Sequence, residues 1–195
     1  MLNMSKKLFD IVFASIGLVI VSVIILIFFI AASISTGQNG IFKQVRIGQY
    51  GKRFTIYKLR SMDSRNGFNK VTGLGKFLRK YKIDELPQLF NILIGDMSFV
   101  GPRPDLPGYY DALTGADREV LNLKPGITGP ASLKYANEEE LLAAVDNPVE
   151  YNNNVLFPDK VRINLNYQKH RTFWLDIKLI VYTIMGKQPT EHYLQ

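Results

Sequence analysis

Between Asp10 and Lys43 the chain carries no charged residue, and from Ile11 to Ile34 it is almost wholly aliphatic or aromatic. Coiled as one α-helix at about 1.5 Å per residue, that stretch reaches roughly 36 Å, more than the ~30 Å of a bilayer's hydrocarbon core. It also exceeds the apolar segment of a secretory signal, about 7–15 residues, so residues 1–40 are read as a membrane anchor with a cleaved leader as the competitor. Ser15, Gly17 and Ser22 interrupt the run; a serine hydroxyl can bond the carbonyl four residues back and so favour a bend, but none of the three forces a break.

Charge is just as unevenly placed. Residues 41–82 hold twelve Lys or Arg against Asp63 alone, while 83–195 hold ten basic and fifteen acidic side chains, in a chain of net charge +7. Basic residues flank the apolar run on both sides, Lys6 and Lys7 before it and Lys43, Arg46, Lys52 and Arg53 after it. The larger bias lies on the C-terminal side, which argues for a body (41–185) on the cytoplasmic face of the membrane and a short tail over 186–195. Paired basic flanks fit a helix that crosses once and equally one that enters and leaves by the same face. The chain has no cysteine and only two histidines, His170 and His192. Disulfides, thiolate metal sites and cysteine nucleophiles are thereby excluded, and any metal would be held by carboxylates, with magnesium the natural choice.

The periodicity predicts an α+β fold: a small sheet or hairpin with several amphipathic helices able to lie at a membrane interface. Ile41–Ile47 and Arg53–Leu59 read as two strands joined through Gly48-Gln49-Tyr50-Gly51. Residues 61–72 read as a loop. Leu74, Phe77, Leu78 and Tyr81 then space as one face of a helix, and Leu86, Leu89, Phe90 and Leu93 as another that starts at Asp84. Ser98–Val100 reads as a strand, 105–121 as helical, 125–129 as a tight loop, 138 onward as a helix begun by Asn137, and 147–158 as loop. Two helices close the chain, from Pro158 to about Lys169 and from Phe173 to Met185. The apolar stripe of the second, with Trp174, suits either core packing or a membrane interface.

Chemistry concentrates at Asp84-Glu85-Leu86-Pro87. Taken locally, an Asp and a Glu at a helix start are ordinary capping residues. Their company makes them more: Lys58, Arg60, Arg79 and Arg103 are candidates to surround the pair, and Pro102 and Pro104 hold the Arg103 backbone in a narrow range. Carboxylates among cations suit a phosphorylated substrate.

Four ordered stretches, Phe54–Met62 (FTIYKLRSM), Ile83–Leu93 (IDELPQLFNIL), Gly95–Pro104 (GDMSFVGPRP) and Lys124–Gly129 (KPGITG), resemble the bacterial sugar transferases, and within them the small monotopic polyprenyl-phosphate phosphoglycosyl transferases. The resemblance runs from about Lys6 to the helix around Asp176. It implies transfer of a sugar 1-phosphate from a UDP-sugar to polyprenyl (undecaprenyl) phosphate, with UMP released, as a first membrane step of surface glycan biosynthesis at the bacterial inner membrane. It further implies Asp84 as a nucleophile that forms a covalent phosphosugar, Glu85 as a ligand of Mg²⁺, and Arg79 and Arg103, with Lys58 and Arg60 more weakly, as phosphate contacts. The family's membrane helix is re-entrant and bends at a Ser-Pro pair; here Ser22 is followed by Val23, so Ser22 is the candidate break without its proline. After Gly129 the chain also departs from the common pattern, with Pro130-Ala131-Ser132-Leu133 there, which obscures the identity of the sugar. The alternative is a non-catalytic, membrane-anchored protein whose basic segment binds anionic lipid or another polyanion. No nucleic-acid recognition motif accompanies the basic residues.

Overall fold

Most of the charge-free run lies in one helix, α1 (Leu2–Thr36), whose first turns also carry Lys6, Lys7 and Asp10 and whose stretch Met4–Thr36 is long and apolar enough to cross a membrane by length and composition. The structure, a computed structural model, describes residues 2–65 and 67–187. From residue 188 on, the expected C-terminal tail lies outside them. Helical backbone continues through Ser22, whose hydroxyl donates to the Val19 carbonyl at 2.8 Å. Around it Val19, Ile20 and Val23 are exposed, an apolar surface that water disfavours and lipid accepts.

The chain divides into two compact units, one of residues 7–46 and 53–97, the other of 2–6, 47–52 and 98–187. In the first, β1 (Ile41–Ile47) and β2 (Arg53–Leu59) form the expected hairpin. The segment expected as loop over 61–72 contains a short antiparallel ladder, β3 (Met62–Asp63) with β4 (Lys70–Val71), pairing Met62 with Val71 and Asp63 with Lys70. Two-residue strands are too short to show a period, which is why the pattern hid them. Helix α2 (Gly73–Lys80) follows, capped by the Thr72 hydroxyl, which accepts from the Gly75 amide at 2.9 Å. Gly75 is obligatory, because a Cβ there would stand 1.9 Å from the Ser61 carbonyl oxygen.

The helix expected to begin at Asp84 begins differently. Ile83–Glu85 is a 3₁₀ turn, and α3 proper is Gln88–Leu93. Pro87 has no N–H to donate to Ile83, and the Leu86 amide takes the Ile83 carbonyl at 3.2 Å instead, tightening the entry. Leu86 and Pro87 keep right-handed helical dihedrals, so the helical path runs on from the turn into α3. The interior of this unit is Ile56, Leu59, Leu78, Leu89, Ile92 and Met97.

In the other unit β5 (Ser98–Val100) pairs in parallel with β6 (Gly126–Thr128), so the tight loop expected at 125–129 is partly strand. The glycines here are forced by close backbone approach. A Cβ on Gly101 would stand 2.1 Å from the Lys124 carbonyl oxygen, and one on Gly126 would stand 2.2 Å from the Gly101 nitrogen. Residues 105–121, expected as helix, form two 3₁₀ segments, Tyr110–Ala112 and Gly115–Asn122, parted where Gly115 takes a positive φ of 57°. Four short helical pieces precede α7: α4 (Pro130–Lys134), α5 (Glu138–Ala143), α6 (Pro148–Tyr151) and a wide π turn over Asn152–Leu156. The last two replace the loop expected at 147–158. Three consecutive asparagines conceal them, yet the Asn147 side chain caps α6 and Pro148 opens it. Helices α7 (Phe157–His170) and α8 (Phe173–Met185) match their expected spans closely. Tyr110, Val120, Leu121 and Val161 form one buried cluster with Ile47; Val100, Leu123, Leu133, Tyr167 and Leu179 form another. The predicted α8 stripe is not its buried face: Leu179, outside that stripe, is core, while Trp174, Val181 and Ile184 stay exposed and Phe173, Ile177 and Ile180 are half-buried. The fold is α+β.

Candidate active site

Asp84 and Glu85 lie on the 3₁₀ turn, and both are buried, 7% and 8% exposed. Burying two adjacent carboxylates is costly unless cations accompany them. Lys58, at the end of β2, supplies one: its Nζ donates to Glu85 Oε1 at 3.0 Å. The Asp84 carboxyl is pushed above the ordinary carboxylate range, by burial first and by the neighbouring Glu85 charge second, while Lys58, Arg79 and Lys82 pull it down. Asp84 Oδ1 is buried with no hydrogen-bond partner.

The cations reach the pair along separate local paths. Arg79, in the last turn of α2, donates from Nε to the Ser61 hydroxyl at 3.1 Å. Ser61 also accepts the Thr72 amide at its carbonyl, 3.1 Å, against which Gly75 packs. The serine of the FTIYKLRSM stretch thus docks α2 and its arginine. Lys82 precedes the 3₁₀ turn in the left-handed region, φ 56°, an uncommon conformation for a side chain without a stabilising Asn or Asp character. It makes the bend that delivers Asp84, and it was not among the expected site residues.

Arg60 stands apart from the carboxylates. Its guanidinium donates to the Asn39 carbonyl at 2.7 Å and to Gln38 Oε1 at 3.2 Å and lies over the Phe42 ring, so it ties the loop after α1 to the hairpin. Arg103 belongs to the other unit, exposed between buried Pro102 and Pro104. Ser22 lies within α1, its hydroxyl on the Val19 carbonyl.

Two further polar residues escaped the sequence reading. Asn91 is fully buried on α3; its Nδ2 donates to the Thr55 carbonyl at 2.7 Å and its Oδ1 accepts the Tyr57 amide at 3.2 Å. One side chain thus takes the place of a neighbouring strand for β2 and fixes α3 against the strand that carries Lys58. Gln88 is 2% exposed, and its Nε2 has no partner. Gln88 and Asn91, spaced i and i+3, form a buried polar stripe on α3 that follows the buried Asp84 and Glu85 of the turn.

Among the described residues no three His, Cys, Asp or Glu side chains stand together as a metal-binding group. A cation here would take protein oxygens from Asp84 and Glu85 and complete its shell with water and phosphate, as Mg²⁺ characteristically does. A buried carboxylate oxygen without a donor, at Asp84 Oδ1, fits such an ion.

The profile of the family described as bacterial sugar transferase matches residues 1–187. The chain is 35% identical over 201 residues to the uncharacterized sugar transferase EpsL of Bacillus subtilis (strain 168), covering 96% of this chain and 92% of that protein. It is 36% identical over 195 residues to the UDP-glucose:undecaprenyl-phosphate glucose-1-phosphate transferase of Klebsiella pneumoniae, covering 92% of this chain and 39% of that protein. It is 34% identical over 201 residues to the galactosyl transferase CpsE of Streptococcus agalactiae serotype III (strain NEM316), again covering 92% of this chain, and 41% of the relative. The chain therefore spans about two fifths of the latter two and nearly all of the first. It belongs to the bacterial sugar transferase family.

Proposed function

We propose that this protein transfers a sugar 1-phosphate from a UDP-sugar to polyprenyl phosphate, undecaprenyl phosphate in a bacterial membrane, and releases UMP. The observation that carries this reading is the buried Asp84 carboxylate, one oxygen unpartnered, beside a Glu85–Lys58 pair. The Klebsiella relative, a UDP-glucose:undecaprenyl-phosphate glucose-1-phosphate transferase, supports the substrate classes.

In the proposed reaction a carboxylate oxygen of Asp84 attacks the phosphorus that bears the sugar. The bond from that phosphorus to the UMP oxygen breaks, and UMP leaves with the electron pair. An oxygen of polyprenyl phosphate then attacks the same phosphorus, the acyl-phosphate bond breaks, and Asp84 is restored as a carboxylate with polyprenyl-diphosphate sugar as product. Splitting one displacement into two gives ping-pong kinetics. An anion attacking a diphosphate needs nearby positive charge, which Lys58, Arg79 and Lys82 supply from this chain. Glu85 with Asp84 would hold Mg²⁺, which when bound neutralises phosphate charge. Arg103 keeps its phosphate role from its motif, and Arg60, tied to the loop after α1, is given none.

We also propose that α1 enters and leaves the membrane by the cytoplasmic face. Near its N-terminal end Lys6 donates to the Val100 carbonyl at 3.1 Å and pairs with buried Asp176 of α8. The tip of the hairpin to which α1 leads, 47–52, belongs to that same unit.

The test is incubation of detergent-purified protein with Mg²⁺, undecaprenyl phosphate and a panel of UDP-sugars, alongside Asp84→Asn. UMP released by the wild type alone supports the reading; UDP as the product overturns it.

A further inference from the structure

We propose that the side-chain amide of Gln88 is a substrate contact, donating from Nε2 to an oxygen of the phosphoryl group that Asp84 receives. This inference rests on the phosphosugar transfer proposed above and adds a residue to it.

Three observations carry it. Gln88 is 2% exposed and its Nε2 is buried without an acceptor, an arrangement that costs about 1–3 kcal/mol in a folded protein unless something repays it. The second is position. Helical backbone links the 3₁₀ turn to α3, so Gln88 follows Asp84 by four residues, about one turn farther along the same helical path. Asp84 Oδ1 is itself buried without a donor, so an idle acceptor and an idle donor occupy successive turns. The third is the contrast with Asn91, next on the stripe. Both ends of its amide are used, on the Thr55 carbonyl and the Tyr57 amide. The stripe is thus satisfied where it meets β2 and unsatisfied where it approaches the carboxylate.

A tetrahedral phosphoryl group attached to Asp84 would present oxygens beyond the carboxylate, and a neutral N–H donor suits them. It adds no charge to the lysines and arginine already there, and it bonds the pentacoordinate transition state on the way in and on the way out. A purely structural glutamine would have its amide bonded in the folded protein, as Asn91 does.

Gln88→Met tests this, because methionine matches the length of glutamine and suits a buried site while removing the donor. UMP release is followed over a range of UDP-sugar concentrations with Mg²⁺ and undecaprenyl phosphate, beside thermal melts of the same preparations and the Asp84→Asn control. A charge-assisted hydrogen bond contributes about 1.5–3 kcal/mol, so the proposal expects kcat/KM to fall about 10- to 100-fold, mostly in kcat, with an unchanged or raised melting temperature. Gln88→Glu, which replaces the donor with a like charge beside Asp84, is expected to lose more activity than Gln88→Met. Wild-type kcat/KM in Gln88→Met overturns the proposal, as does a loss of activity that tracks a lower melting temperature. If wild-type protein releases UMP and Asp84→Asn does not, either result leaves the transfer reaction standing and removes Gln88 alone. If wild-type protein releases no UMP with any sugar of the panel, both fall together.

Discussion

In the proposed reaction one carboxylate, Asp84, carries the chemistry and its neighbouring side chains balance the charge. Asp84→Asn keeps the shape of the side chain and removes the nucleophile, so UMP release should fall on the order of 10³-fold or more, with the melting temperature unchanged or higher because a buried charge is gone. Lys58→Met has the opposite signature. It leaves Glu85 buried without the ammonium that its Oε1 accepts from, and breaking such a pair from one side costs about 3 kcal/mol, which urea unfolding of the detergent-solubilised protein would measure. An unchanged urea midpoint would mean that the pair contributes nothing to stability. Much of this site is readable from the chain: the Asp-Glu pair and Lys58 come from their motifs and Arg79 from the basic residues that precede the pair, and the structure brings those four together. Lys82, Gln88 and Asn91 are not so easily read. A left-handed lysine has no sequence marker, and two amides among leucines look like surface residues of an amphipathic helix until burial shows them facing inward.

At the scale of elements, the motifs acquire physical causes. Gly101 and Gly126 are required because two backbones touch where β5 meets β6; Gly101→Ala forces a methyl group to 2.1 Å from the Lys124 carbonyl and should cost at least about 2 kcal/mol, read as a lower melting temperature. Helices α4 and α7 are joined by charge. Asp159 of α7 accepts from Lys134 and Tyr135 and from Arg162 of its own helix. Burial alone would raise its carboxyl, but those hydrogen bonds outweigh burial and hold it at about 2, below the ordinary 3.8. A carboxylate depressed by folding stabilises the protein fully above its unfolded value, and that contribution is lost as the pH falls from about 4 through about 2. Melting temperatures measured across that window should drop less steeply for Asp159→Asn than for wild type. Long periodic elements such as α7, α8 and the β1–β2 hairpin are legible in the sequence to within a residue or so. The short ones are not, because β3, β4 and β6 are too brief to show a period, and the 3₁₀ segments between 110 and 122 are too short for a three-residue period to stand apart from that of an α-helix.

At the scale of the whole molecule, the question is how an apolar helix and a charged body share a membrane. The helix itself follows from the charge-free run; its path does not, since basic residues on both flanks fit two topologies and Val23 stands where a proline would have marked the bend. Lys6 on Asp176 and on the Val100 carbonyl ties the start of α1 to the unit that holds α8, and the topology proposed above puts both ends of α1 on one face. The chain has no cysteine, so a single Met4→Cys substitution gives a clean label. In intact cells it should resist a membrane-impermeant maleimide and react only after lysis; labelling from outside would make α1 a spanning helix. The central claim, a phosphosugar carried on Asp84, is tested most directly by intact-protein mass after incubation with Mg²⁺ and a UDP-sugar in the absence of polyprenyl phosphate. The account predicts a mass increase of one sugar phosphate with one UMP released per protein, and neither in Asp84→Asn. Turnover that requires both substrates together, with no adduct and no UMP before the lipid is added, would contradict it.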